Sequence, residues 1–168
     1  MKHLLALLLT SLPLAAADWP VYKSPDGQFT IALLGKVTIK KAQNRYPFGL
    51  VTITAHTHTA DKDTIWRVAT HDYPAAFVKQ ITPAKLMDVM ARGMAKNING
   101  KLTGPKPIQH GKHAGVEFQA AESDGYTVHG QLFTIGSRVY QLTLVTKPLN
   151  PALKQTKKFF GSFKPTTN

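Results

Sequence analysis

Turn signals recur at short intervals along this chain, and most segments between them alternate apolar and polar residues. A period of two sends successive side chains to opposite faces of a strand, so the pattern constrains the chain to a sheet of short hairpins. Asp26-Gly27 separates Val21-Tyr22-Lys23 from Phe29-Thr30-Ile31-Ala32-Leu33, an expected opening hairpin, and Gly35 breaks the run before Val37-Thr38-Ile39. Residues 51–59 alternate Val51, Ile53 and Ala55 with Thr52, Thr54, His56 and His58. After the polar loop 60–63, Trp66 and Val68 alternate with Arg67, Ala69 and His71. Pairing Thr59 with Thr64 predicts that Trp66 and Val68 share a face with Ile53 and Ala55, and that the two polar sets share the other.

The second half repeats the habit. Val116, Phe118 and Ala120 lead into Ser123-Asp124-Gly125, and Tyr126, Val128, Gly130 and Leu132 return. A three-residue loop with Gly125 in the left-handed position aligns those apolar faces. Gly136-Ser137 predicts a two-residue hairpin with Phe133 opposite Tyr140, and Pro105, Pro107 and Gly111 mark a loop or edge. The apolar set now includes Tyr140, Leu142 and Leu144, so the sheet needs cover on both faces. Thr82-Pro83 opens a helix by an N-cap and a proline at its first position; Leu86, Val89/Met90, Gly93/Met94 and Asn97/Ile98 follow, and Asn99-Gly100 ends it. Asn150-Pro151 opens a second, with the stripe Leu149, Leu153, Thr156, Phe160 and Phe163 and a stop near Gly161. Strands, helix, strands, helix reads as α+β: a central antiparallel sheet with helices packed on it.

Met1-Lys2-His3, the apolar run 4–12, Pro13 and Ala15-Ala16-Ala17 match a secretory signal peptide cleaved before Asp18. The run is shorter than the roughly 20 residues a membrane span needs. The expectation is an exported domain over residues 18–168, periplasmic or secreted, free and monomeric. The chain has no cysteine, which excludes disulfides, a thiol nucleophile and a lipid-modified cysteine. It carries 21 Lys and Arg against 9 Asp and Glu, a formal charge of +12, which favours an anionic partner such as an envelope component. The basic residues form no block interleaved with aromatics, so nucleic acid is not the expected partner.

Trp19-Pro20-Val21-Tyr22-Lys23-Ser24-Pro25-Asp26-Gly27-Gln28-Phe29-Thr30-Ile31 resembles the opening hairpin of the PsbP-like superfamily. Its members include the extrinsic photosystem II protein and many small exported bacterial proteins of unknown role. Gly115-Val116-Glu117-Phe118, Arg138-Val139-Tyr140-Gln141-Leu142 and Lys158-Phe159-Phe160-Gly161-Ser162-Phe163 echo it in order. The resemblance implies an α/β/α sandwich around a central antiparallel sheet. Where the family often has a proline after the second strand, Leu33-Leu34-Gly35-Lys36 stands here. No ligand motif matches, so no ligand residue carries over and photosystem binding is not implied.

Among seven histidines, His56-Thr57-His58 has metal-ligand spacing, because alternate strand residues project on one face about 6.6 Å apart. With His71 as a third ligand the set would suit zinc or copper. In the expected register, however, His56 lies opposite Arg67, whose fixed charge opposes a cation, and His58 lies opposite Ile65. Asp61 and Asp63 sit in the adjoining loop, and His110-Gly111-Lys112-His113 has the spacing of a turn. Met87, Met90 and Met94 could offer soft thioethers to Cu(I), or fill a core under the sheet. No Gly-x-Ser-x-Gly elbow, phosphate-cradling glycine loop or paired carboxylates appear. The sequence therefore points to a non-enzymatic binding or accessory protein, with a histidine metal site as the alternative.

Overall fold

The computed structural model describes residues 19–147 and 153–166. Residues 1–17, expected to be an export signal, Leu149 and the Asn150-Pro151 helix start lie outside them. Seven strands form one antiparallel sheet in the order β3-β4-β5-β9-β8-β7-β6. These are β3 (Thr38–Tyr46), β4 (Gly49–Asp61), β5 (Thr64–Asp72), β6 (Lys101–His110), β7 (His113–Ala121), β8 (Thr127–Ile135) and β9 (Arg138–Thr146). A second sheet, ordered β1-β2-β10, joins β1 (Val21–Lys23), β2 (Phe29–Ala32) and β10 (Lys164–Pro165). The helices are α1 (Ala75–Val78), α2 (Pro83–Asn97) and α3 (Leu153–Gly161). The protein is mostly antiparallel sheet with a few helices, an α+β fold.

The turn chemistry places most hairpins as expected. Glu122 donates its amide to the Tyr126 carbonyl around Ser123-Asp124-Gly125, Gly125 has φ +93°, and Phe118 faces Gly130. Gly136, at φ +60°, and Ser137 turn β8 into β9, and Phe133 meets Tyr140. The opening hairpin forms with Val21 opposite Ala32, but in the small sheet, where β10 joins it. The prolines Pro105 and Pro107 fall on the edge strand β6, where a missing N–H leaves no inner ladder broken.

The β4–β5 hairpin departs from the expected register by one residue. Thr59 pairs with Ile65, and Asp61 pairs with Thr64 after a bulge. Asp61 Oδ1 accepts the Asp63 amide at 2.8 Å, which tightens the turn to Lys62-Asp63 and leaves Ala60 as the extra residue. One residue of slip exchanges the faces of a whole strand. His56 therefore stands opposite Val68 and His58 opposite Trp66, not Arg67 and Ile65; Arg67 and His71 share a face with Ala55 and Ile53. Packing favours this register, because Trp66 and Val68 then join Leu142, Leu144, Phe29, Ile31, Phe159 and Phe163 in one buried cluster.

A second cluster lies on the other face of the sheet. Leu86, Met87, Ala91 and Ala95 of α2 are buried with Phe118, Ala120, Val128, Leu132 and Val139. The helix starts where the sequence places it: Thr82 Oγ1 accepts the Lys85 amide at 3.3 Å, with Pro83 at the first helical position. Thr82→Ala leaves that amide without its cap and is expected to lower stability by about 1 kcal/mol, read by urea unfolding. Asn99, at φ +49°, closes the helix in the left-handed region, where asparagine is tolerated better than most residues.

Candidate functional site

Helix α2 covers only part of its face of the sheet. Its contacts run mainly to β6, β7 and β8, which leaves a groove between the helix and β3, β4 and β5. Two cavities share Arg67, the first in this groove and the second beside it on the same face of β3, β4 and β5. One, about 410 Å³, has Val51 and Ile53 on one wall and Met90, Met94 and Ile98 on the other. The second, about 390 Å³, is lined by Thr38, Lys40, Ala55, Thr57, Thr59 and Arg67.

The register explains the polar floor. Arg67 stands between Thr57 of β4 and Thr143 of β9, while His71 stands between Ile53 and Val139. Gln141 lies opposite Ala69, one diagonal step from His71, and the His71 Nε2–H donates to Gln141 Oε1 at 2.9 Å. Gln141 and Thr143 are buried. A charged guanidinium thus sits in the third strand of seven, where strands flank it on both sides.

Among the described residues, no acid answers that charge. The Arg67 Nε is buried with no hydrogen-bond partner, and no carboxylate of the described residues lines either cavity. Burial pulls the Arg67 pKa down, yet a guanidinium keeps its proton in proteins. His71 is pushed down to about 4, chiefly by burial; the Arg67 charge adds to this, while the Gln141 hydrogen bond and Asp72 oppose it. It is neutral at pH 7. Burial also lifts Tyr73, beside Tyr46 at the far end, to about 12. The groove therefore presents Arg67, with Lys40 at its exposed side, and no countercharge of its own.

Arg138 shows the contrast. It lines a cavity of about 530 Å³ with Gln28, Lys112, His113 and Tyr140, but its Nε and one terminal nitrogen donate to the two oxygens of Asp72. That paired guanidinium has spent its charge within the fold.

The histidines expected to hold a metal do not come together. His56 and His58 are neighbours on the face that carries Trp66, whereas His71 projects from the opposite face. His56 is buried, its Nδ1 2.9 Å from the Tyr22 hydroxyl and its ring edge-on to Phe29, and burial lowers its pKa. His58 donates Nδ1–H to the Lys36 carbonyl at 3.1 Å. His110 hydrogen-bonds the Phe163 carbonyl and pairs with His113 across the β6–β7 turn. Of the three methionines, Met87 is buried in the core cluster, and Met90 and Met94 line the groove. Among the described residues, no three His, Cys, Asp or Glu side chains are placed to hold a metal ion, and no helix is long and apolar enough to cross a membrane.

No family model matches the chain, and no curated protein is similar to it in sequence. Solved structures are similar in shape. The solution structure of cyanobacterial PsbP from Synechocystis superposes with a TM-score of 0.60 at 11% identity, covering 94% of this chain and 98% of that one. The fold is PsbP-like. A crystal structure from Bacteroides thetaiotaomicron has a TM-score of 0.49 at 10% identity over 88% of this chain and 48% of its own. A Pseudomonas aeruginosa protein of unknown function has 0.38 at 16% identity, over 89% and 98% respectively. At 11% identity the likeness to cyanobacterial PsbP concerns the fold alone.

Within that fold, sequence reasoning treats Arg67 only as an obstacle beside His56 and does not single out Gln141 as a site residue. One signal was available. Ile65-Trp66-Arg67-Val68-Ala69 is apolar on both sides of the arginine, the mark of a strand covered on both faces. An arginine in such a strand is inside and needs a partner.

Proposed function

We propose that this protein is an exported, non-enzymatic binding domain of the bacterial envelope, built as an α/β/α sandwich, that holds an anionic ligand at Arg67. The observation that carries this reading is the unanswered Arg67 charge on the floor of a groove with no carboxylate. A half-buried charge without a partner is costly to a fold, and an anion supplied by a ligand offsets that cost. The +12 formal charge of the chain attracts such a ligand from a distance. The two buried clusters on opposite faces of the sheet support the sandwich reading, and the signal-like residues 1–17 support export.

Inorganic phosphate and acetate are the simplest probes, followed by chemical-shift titration. Saturable binding to the wild-type protein is expected, weakened about tenfold or more in Arg67→Met, as for the loss of a charge-assisted hydrogen bond. High salt should weaken it further by screening. Equal affinity in both proteins would remove Arg67 from the reading.

A further inference from the structure

The two cavities that meet at Arg67 differ in chemistry, and the difference specifies a ligand. On one side lie the Lys40 ammonium and the hydroxyls of Thr38, Thr57 and Thr59, all donors to an anionic oxygen. The other side has apolar walls, from Val51 and Ile53 to Met90, Met94 and Ile98. Beyond that wall Tyr46 stacks on Phe48 at 5.1 Å and Phe48 on Phe77 at 3.9 Å, and Phe48 is 38% exposed. An aromatic stack open to solvent thus continues the apolar side outward.

Helix α2 also keeps a gap open. Gly93 lines the apolar cavity, and a Cβ built there would meet nothing within 4 Å. A glycine inside a helix costs roughly 1 kcal/mol relative to alanine. The chain carries that cost at a helical position that lines the groove. Each cavity alone lies in the lower part of the usual range for a ligand site, about 300–1,000 Å³. Joined at Arg67, they suit an elongated molecule.

We infer that the groove takes a single-chain anionic amphiphile, its charged head against Arg67 and Lys40 and its chain along Met90, Met94 and Ile98. This rests on the anion-binding reading of the same site and adds the apolar chain to it. The chemistry required is one anionic head on one alkyl chain, whether a fatty acid or a phosphate-headed lipid fragment supplies it.

Calorimetric titration with n-alkyl phosphates from ethyl to dodecyl, each below its micelle threshold, tests the inference, with inorganic phosphate as the chain-free control. A parallel series of alkyl carboxylates separates the two sources by which head binds more tightly. Affinity is expected to rise about fourfold per methylene until the apolar wall is covered. Gly93→Leu, which fills the gap and favours helix, should flatten that series while leaving phosphate affinity unchanged. Arg67→Met should weaken every member by about tenfold or more. Thermal unfolding of both variants confirms that they fold. Phosphate binding with no dependence on chain length overturns the amphiphile and leaves the anion site standing. A rising series that Gly93→Leu does not alter places the chain elsewhere and overturns the inference. Absence of binding by phosphate, by acetate and by every member of both alkyl series overturns both readings.

Discussion

Truncating Phe118 to alanine is expected to destabilise the protein by about 3–5 kcal/mol, the cost of removing a large aromatic side chain from a packed core. Phe118 is 1% exposed and sits among Leu86, Met87, Ala91, Val128 and Leu132, where α2 meets the sheet. Its ring lies directly over Gly130, its cross-strand neighbour, so that a Cβ at 130 would collide with the ring. Gly130→Ala should therefore cost about 1–3 kcal/mol by overpacking. In the Phe118→Ala background that cost should largely vanish, because the ring is gone, giving a coupling of about 1 kcal/mol or more. Urea unfolding of the two single variants and the double variant measures all three quantities. Additive costs would mean that Gly130 does not accommodate the ring.

Acidification from about pH 6.5 to about 4 is expected to remove about 3 kcal/mol of stability through His71 alone. Burial holds its folded-state pKa near 4, against 6.5 for the ordinary group. Between those values the unfolded chain binds a proton that the folded chain refuses, so stability falls as pH falls. It is fully retained above about 6.5 and fully lost below about 4. Buried His56 and half-buried His129 are shifted the same way by burial and add to the slope with the same sign. Unfolding midpoints across this range, for the wild type and His71→Gln, provide the check. The variant should lose markedly less stability on acidification. Parallel curves would place the acid sensitivity elsewhere.

His71 illustrates how much of the site was legible beforehand. Its presence on a strand was plain from the alternation of residues 64–71, and so was that of Arg67. Their face was not. Asp61 tightens the β4–β5 turn through a side-chain hydrogen bond and expels Ala60 as a bulge, and a count of loop residues cannot tell that arrangement from a four-residue loop. The slip moved Trp66 and Val68 away from Ile53 and Ala55, and moved Arg67 away from His56. The histidine pair ended on the covered face with Trp66, and Arg67 on the half-covered face beneath α2. Gln141 was hidden differently: it alternates with Tyr140 and Leu142, and only the position of β9 between β5 and β8 places it beside His71.

Local chemistry determined everything that depends on a few adjacent residues. The turns at Ser123-Asp124-Gly125 and Gly136-Ser137, the Thr82-Pro83 helix start and the α+β order follow from backbone preferences and side-chain periods that neighbouring residues set by themselves. The sequence also set the charge and the absence of cysteine, and with them the kinds of partner and chemistry open to the chain. Tertiary structure decided the rest. It set the β4–β5 register, the separation of β1 and β2 into a second sheet closed by β10 some 130 residues later, and the half-covered face on which Arg67, Gln141 and Gly93 meet. Those outcomes depend on which register buries Trp66 and Val68 against Leu142 and Leu144, and on where α2 lands across the sheet. Both are energies of contact between residues far apart in the chain, and no window of sequence contains both partners.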